Sequence, residues 1–404
     1  MATDAWSNGT ERQVRRANFE EDWQDVAAAW RLRPDTIYLN HGSFGPPPAP
    51  VRAARRAWQD ALDEQPMDFF VRQFEPAWFD ARRRLATFVN CVADDMIFVE
   101  NATAGMNLVA DGFRLGPGDE VLLTDHEYGA VERIWRRAAD AVGAKLAIAR
   151  LPLPISSVGE VLEAIFSRVT VQTRLLIVSH ITSPTAIILP VEAICREARS
   201  RNLPVCIDGP HALLQTPVDL RRLGCDFYTA SCHKWLCAPF GTGFLYVSPQ
   251  FQPWMRPAAM SWGRTPPTKL ERWFDEFVWS GTRDPSAFLA IPAAVDFFNS
   301  LGFESVRARM YVMAGEARTG LLDLLQCQPY APATSDGHAW YGSMTHLPLP
   351  PGDARALQHS LWQDYGIEVP IVSWRDERSI RVSCHLYNTR QHLERLLEAL
   401  RALL

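Results

Sequence analysis

The run Asp226-Phe227-Tyr228-Thr229-Ala230-Ser231-Cys232-His233-Lys234-Trp235 carries a strand-like stretch directly into a lysine, and the turn Gly241-Thr242-Gly243 follows. Aromatic and β-branched residues favour a strand. A lysine just past such a strand sits where open α/β sheets bind ligands, outside the strands' carboxyl ends. Lysine is scarce: Lys145, Lys234 and Lys269 are the only three among 41 basic residues. Lys145 precedes the apolar run Leu146-Ala147-Ile148-Ala149, and Lys269 stands in the loop Thr265-Pro266-Pro267-Thr268, so both read as surface charges. Lys234, among apolar and small polar residues, is placed to have its amine desolvated and to form a Schiff base with a carbonyl. The other reading is a half-buried lysine whose amine snorkels to water.

Outward from that run, further strand-like runs cover 96–100, 120–124, 145–151, 173–180, 204–208 and 243–247. With 226–230 they make seven, mostly without polar alternation, which fits a mostly parallel sheet buried under helices. Helical runs at 131–142 and 190–201 have crossover length. Upstream, 18–32, 49–65 and 72–89 read as helices and 36–39 as a short strand. The Pro-, Trp- and Gly-rich region 250–285 breaks the rhythm. Helical runs at 286–300, 303–326 and 353–365, strands at 339–347, 368–374 and 379–386, and a closing helix read as a smaller α+β unit. The expected organisation is an N-terminal helical arm (1–35), a large α/β domain (36–285) and a small α+β domain (286–404).

Hydrophobic residues make up 47% of the chain and charged ones 22%, the balance of a globular protein. The net charge of −5 and the lack of a basic run argue against nucleic acid and anionic membranes as partners. The first thirty residues lack the apolar core of a signal peptide, and no apolar run is long enough to span a bilayer. Eight cysteines without a CxxC pair point to free thiols in a reducing cytoplasm, so the sequon Asn8-Gly9-Thr10 carries no weight.

Four features fall at the ends of these strands. In Glu100-Asn101-Ala102-Thr103-Ala104-Gly105, small residues open a helix. Its backbone N–H groups and the Thr103 hydroxyl suit a phosphate, though Thr103 also suits a plain N-cap. Asp208 ends Val205-Cys206-Ile207 and needs a cationic or hydrogen-bonding partner there. A protonated pyridine nitrogen is one such partner, and a capping role toward Gly209-Pro210 is the alternative. Around Lys234, Ser231 and His233 offer donors to a phosphate, or His233 makes a structural hydrogen bond. Arg381, in Ser379-Ile380-Arg381-Val382-Ser383, needs an anion on an apolar strand: a ligand carboxylate, or an acid at a domain interface. Together they describe a phosphate-bearing aldehyde cofactor and an amino-acid carboxylate, the requirements of pyridoxal 5'-phosphate (PLP) chemistry.

The ordered set resembles the class V aminotransferase superfamily, and within it the isopenicillin N epimerase-like group. The matching motifs are Leu39-Asn40-His41-Gly42-Ser43-Phe44-Gly45, Asn101-Ala102-Thr103, His126-Glu127-Tyr128-Gly129-Ala130, Ser179-His180-Ile181-Thr182-Ser183-Pro184-Thr185, Asp208-Gly209-Pro210-His211, His233-Lys234-Trp235, Gly241-Thr242-Gly243-Phe244-Leu245-Tyr246-Val247, Ser280-Gly281-Thr282-Arg283-Asp284 and Ile380-Arg381-Val382-Ser383. The resemblance implies an aspartate-aminotransferase-like (fold type I) large domain and a homodimer with shared sites. It implies that Lys234 carries the cofactor and moves the Cα proton, and that Asp208 pairs with the ring nitrogen. Thr103, Ala104, Ser231 and His233 would hold the phosphate, and Tyr128 would stack on the ring. Ser183 and His211 would lie near the ring hydroxyl, and Thr282 would reach the neighbouring subunit's phosphate. Arg381 would bind the substrate carboxylate, with Asn40 and His41 bordering the substrate pocket.

The fold does not choose the reaction. A desulfurase needs a nucleophilic cysteine on a loop near the small domain, and 328–350 contains none. Epimerisation needs a second acid besides Lys234, and Tyr128, His41, Tyr341 and Cys384 are candidates by type. β-Elimination from an S-substituted cysteine asks only for Lys234 and a leaving thiol. The preferred expectation is an amino-acid epimerase. The alternatives are a C–S lyase, an oxidative deaminase, an aminotransferase, and a non-catalytic cofactor-binding dimer, against which the presence of both Lys234 and Asp208 argues. Trp254, Trp262, Trp273 and Trp279 either line a bulky substrate pocket or pack between domains.

Overall fold

Seven strands form the central sheet of the computed structural model, which describes residues 21–261 and 271–404. They are β1 (Met96–Val99), β2 (Glu120–Thr124), β3 (Lys145–Ala149), β4 (Thr173–Ser179), β5 (Val205–Asp208), β6 (Phe227–Ser231) and β7 (Gly243–Val247). The spatial order is β1-β7-β6-β5-β4-β2-β3, and β7 alone runs against the others. Val121, Leu122, Leu123 and 175–178 are buried throughout, as a sheet covered on both faces requires. The chain order reverses between β2 and β4, and ligands bind at such a switch point, beyond the strands' carboxyl ends. The helix after β1 (Ala102–Gly112) approaches β6 so closely that a Cβ on Gly105 would sit 2.1 Å from Thr229 Oγ1.

A second sheet of three antiparallel strands has β8 (Met344–Pro348) and β9 (Ile371–Trp374) on either side of β10 (Glu377–Ser383). The expected strand over 339–347 is interrupted, because Trp340 accepts from the Ile188 N–H and Ser343 donates to Gln215 Oε1. Those bonds tie the chain to the large domain before β8 begins.

Packing divides the chain elsewhere than at 285/286. Phe288, Leu289, Ile291 and Phe298 belong to the large core, whereas Ile37 and Leu39 belong to the small one. The long helix Phe303–Leu325 joins both, with Val306 and Met310 in the first core and Met313, Ala317 and Leu321 in the second. Ile37–Tyr38 pairs in parallel with Ile367–Glu368, and the following turn crosses to the large domain, where the Gly45 N–H donates to the His233 carbonyl. The N-terminal arm is described from residue 21. Its Trp23 and Trp30 enter the large core, and Asn8 lies outside the described residues. Of the four tryptophans, Trp254 packs on Phe113, Trp273 on Phe277 and Trp279 on Phe70. Trp262, like Lys269, lies outside the described residues. Among the described residues no single helix is long and apolar enough to cross a membrane.

Candidate active site

A cavity of about 420 Å³ opens where the β2, β4, β5 and β6 ends meet the turn after Tyr38 and strand β10. Its wall contains Thr103, Tyr128, Ser183, Asp208, His211, Ser231, His233, Lys234 and Arg381. A larger cavity of about 850 Å³ lies around Tyr330, Trp374 and Arg378 and contains none of them, so chemistry and not size marks the site.

Asp208 ends β5 and is buried. Burial pushes its carboxyl well above the usual value, while Lys234 acts in the opposite sense. Burial, then repulsion from Arg381, lowers the Lys234 amine below the usual lysine value, and Asp208 draws it back. Each is the other's partial counter-charge in a site of low dielectric. Lys234 Nζ lies 3.4 Å from His211 Nε2. Arg381 is also buried. It donates to the Ser183 carbonyl (2.7 Å) and hydroxyl (3.3 Å) and to the Ser43 hydroxyl (3.1 Å), and its Nε has no partner among the described residues. None of these acceptors is a carboxylate, so no interface acid among the described residues neutralises it. A buried cation held only by neutral groups is set up for an anionic ligand.

The helix N-terminus after β1 is capped by Asn101, not Thr103. Asn101 Oδ1 accepts from the Ala104 N–H at 2.9 Å, and the Ala102 N–H donates to Ser231 Oγ at 3.0 Å. Ala104 therefore has its amide committed and stands outside the cavity wall, while the Thr103 amide and hydroxyl remain with the Ser231 hydroxyl. His233 Nδ1 is 2.9 Å from the Thr242 carbonyl. Tyr128 is half exposed at the wall.

Besides Ala104, three expected site residues stand outside the wall. Thr282 is exposed at the surface of the single chain. Asn40 donates to Glu368 Oε1 (3.1 Å) and accepts from Ser43 (2.6 Å), so it supports the serine that holds Arg381. His41 lies behind Lys234. Its Nε2 donates to the Lys234 carbonyl (3.2 Å), and its Nδ1 accepts from the Tyr387 hydroxyl (2.7 Å). A Cβ on Gly45 would fall 1.8 Å from that same carbonyl, so glycine is required there. Cys237 Sγ lies 3.7 Å from Nε2 of both His41 and His385. The two rings stack at 3.9 Å and 13°, so their in-plane lone pairs do not converge on one point, as a shared metal would need. Of the four candidate second acids, only Tyr128 lines the wall. Tyr341 stacks on Tyr311, and the buried Cys384 thiol is pushed up to about 12.

Glu127 is a polar residue to which the motif reading gave no role. It accepts from Thr124 Oγ1 (2.7 Å) and from the Ser179 amide (3.1 Å) and hydroxyl (2.6 Å). It thereby ties the Tyr128 loop to the end of β4, beside Asp208. Burial raises its carboxyl to about 7, and Asp208 adds to the rise. The sequence signalled it only as a member of the motif His126-Glu127-Tyr128 and as an acid three residues past a buried strand.

Residues 67–396 match the family model for aminotransferase class V. The chain belongs to the class V aminotransferase family. Isopenicillin N epimerase of Amycolatopsis lactamdurans is 39% identical over 401 residues, covering 94% of this chain and 99% of that one. A putative L-cysteine desulfhydrase of Oryza sativa subsp. japonica is 29% identical, covering 96% of this chain and 85% of that one. Among solved structures, a C-DES mutant with glycine covalently linked to its PLP cofactor has a TM-score of 0.80 at 23% identity, covering 91% of this chain and 96% of that one, which shows the fold. Class V aminotransferases are PLP-dependent enzymes. The residues present fit that cofactor: a buried acid short of a cation, a desolvated amine, and an amide and hydroxyls available to a phosphate.

Proposed function

We propose that this class V enzyme removes and returns the Cα proton of an amino acid or amino-acid conjugate, as an epimerase. One observation carries the reading: the cavity joins a desolvated lysine to an arginine without an acid partner and contains no cysteine. When bound, PLP supplies an aldehyde for the substrate amine and an electron-poor ring that accepts the electrons left at Cα.

Lys234 would hold the cofactor through its amine and carry the Cα proton. Asp208 would pair with a cationic ring nitrogen and hold that charge in place. The Thr103 amide and hydroxyl, the Ser231 hydroxyl and His233 would hold the phosphate, and Ala104 shapes the helix end rather than donating. Tyr128 would cover the ring, and Ser183 and His211 would face its hydroxyl. Arg381 orients the substrate carboxylate with a planar fork already set by Ser183 and Ser43. Asn40 and His41 act at one remove, through Ser43 and the Lys234 carbonyl. Tyr128 is the best-placed second acid. In a homodimer, Thr282 would serve the partner's site.

The test is mass spectrometry of L- and D-amino acids and S-substituted L-cysteines incubated with the PLP-loaded protein in D₂O. Deuterium at Cα with inverted configuration is expected. Pyruvate with a released thiol would replace this reading with the C–S lyase, which the desulfhydrase relative favours.

A further inference from the structure

We infer that Trp235 is a positioning residue: its indole N–H fixes the tautomer of His211, so that His211 presents Nε2–H to the amine of Lys234. The inference rests on the reading of Lys234 as the cofactor lysine and extends it to how that amine is kept reactive.

Trp235 is fully buried, and its Nε1 donates to His211 Nδ1 at 3.3 Å. An indole N–H is a donor only, and a buried one needs an acceptor. A neutral imidazole has one donor and one acceptor nitrogen, so an Nδ1 that accepts from Trp235 places the proton on Nε2. That nitrogen lies 3.4 Å from Lys234 Nζ. The His211 backbone is held as well, since its carbonyl accepts from Gln215 Nε2 at 2.6 Å.

Burial first, and then the charges around it, keep the ring neutral. Burial opposes a second proton, and Lys234 and Arg381 oppose it further. Asp208 from β5, Arg381 from β10 and His211 itself are the titrating groups that face the amine. An Nε2–H has no lone pair to offer, so it donates to a free amine and repels an ammonium. The neighbours thus select the base form of Lys234, which is the form that adds to an aldehyde. Without the indole N–H, His211 can move its proton to Nδ1 and offer Nε2 as an acceptor to the ammonium.

Two measurements on the full chain test this. Histidine-selective ¹⁵N labelling, assigned with His211→Asn, reads the tautomer in the unmodified protein. A neutral Nε2–H ring between pH 6 and 8 is expected. An Nδ1–H ring or an imidazolium overturns the inference, whether or not any Trp235 variant folds. In Trp235→Phe, the pH midpoint for borohydride-trapped attachment of pyridoxal phosphate to Lys234 should rise by about one pH unit, the worth of one hydrogen bond. An unmoved midpoint in a folded variant also overturns it. Failure of the underlying reading looks different: wild-type protein would form no adduct at Lys234 at any pH.

Discussion

On the cavity side of Lys234 stand Asp208, Arg381 and His211; on the opposite side stand His41, Cys237, His385 and Tyr387. Both regions are polar and shielded from water. The rear group is neutral, because burial lowers both histidines and raises the thiol and the phenol; His41 spends both ring nitrogens on Tyr387 and the Lys234 carbonyl, while His385 Nδ1 has no partner among the described residues. The front group holds a cation without an acid partner and a carboxyl pushed out of its usual range. Burial of polar groups is thus common to structure and chemistry, and what separates the two is uncompensated charge. Shifted ionisation beside a cavity marks function; paired neutral rings mark the scaffold that holds it.

Lys234→Ala breaks the front region most severely. Covalent cofactor attachment should disappear and Cα-proton exchange should fall by about a thousandfold or more, read by mass spectrometry and by deuterium incorporation. Normal exchange in that variant would end the assignment. Asp208→Asn keeps the shape but not the charge. Exchange should slow by about a hundred- to a thousandfold, the usual loss when one electrostatic partner is removed from a reacting centre, with the lysine adduct still formed. For Arg381→Lys, loss of the fork should raise KM by about ten- to a hundredfold while kcat changes less. An equal fall in kcat would move Arg381 from substrate holding into the chemical step.

The rear region should behave in the opposite way. Tyr387→Phe leaves His41 Nδ1 buried without its donor, so urea unfolding should show a loss of about 1–3 kcal/mol with little change in exchange rate. A large loss of activity at unaltered stability would erase the distinction between the two regions. The smallest effect concerns pH. Folded Glu127 keeps its proton up to about 7, whereas the unfolded group releases it near 4.5. The folded state therefore binds more protons in that window, and its stability falls as pH rises through it. Glu127→Gln should flatten that slope in denaturation curves collected across the window.

Much of this was legible before folding. The seven strand runs appear within a few residues of their expected bounds, since burial on both faces leaves an unbroken apolar signature that neighbours cannot disguise. Thr103, Asp208, Lys234 and Arg381 all reach one cavity, because the rule that ligands sit beyond strand ends needs only the strands. For Thr103 a plain helix cap stood as the alternative to holding a phosphate, and Asn101 makes that cap instead. Both types cap well, and only backbone geometry distinguishes them. Core membership along helix Phe303–Leu325 was not legible, because that helix is apolar toward two cores at once and composition does not say which core a side chain enters.

Residue types at strand ends and the period of the apolar runs are local properties, so the chain alone specified the α/β sheet and the cofactor class and singled out Lys234 as the candidate lysine. Partner choice is not local. Packing joined Arg381 to Ser183 and Ser43, Glu127 to Ser179, and Trp235 to Lys234 through His211, all from separate elements. Which of these groups keeps a free charge and which spends it on a neighbour depends on distances of a few ångströms, and those exist only once the two cores have closed around the site.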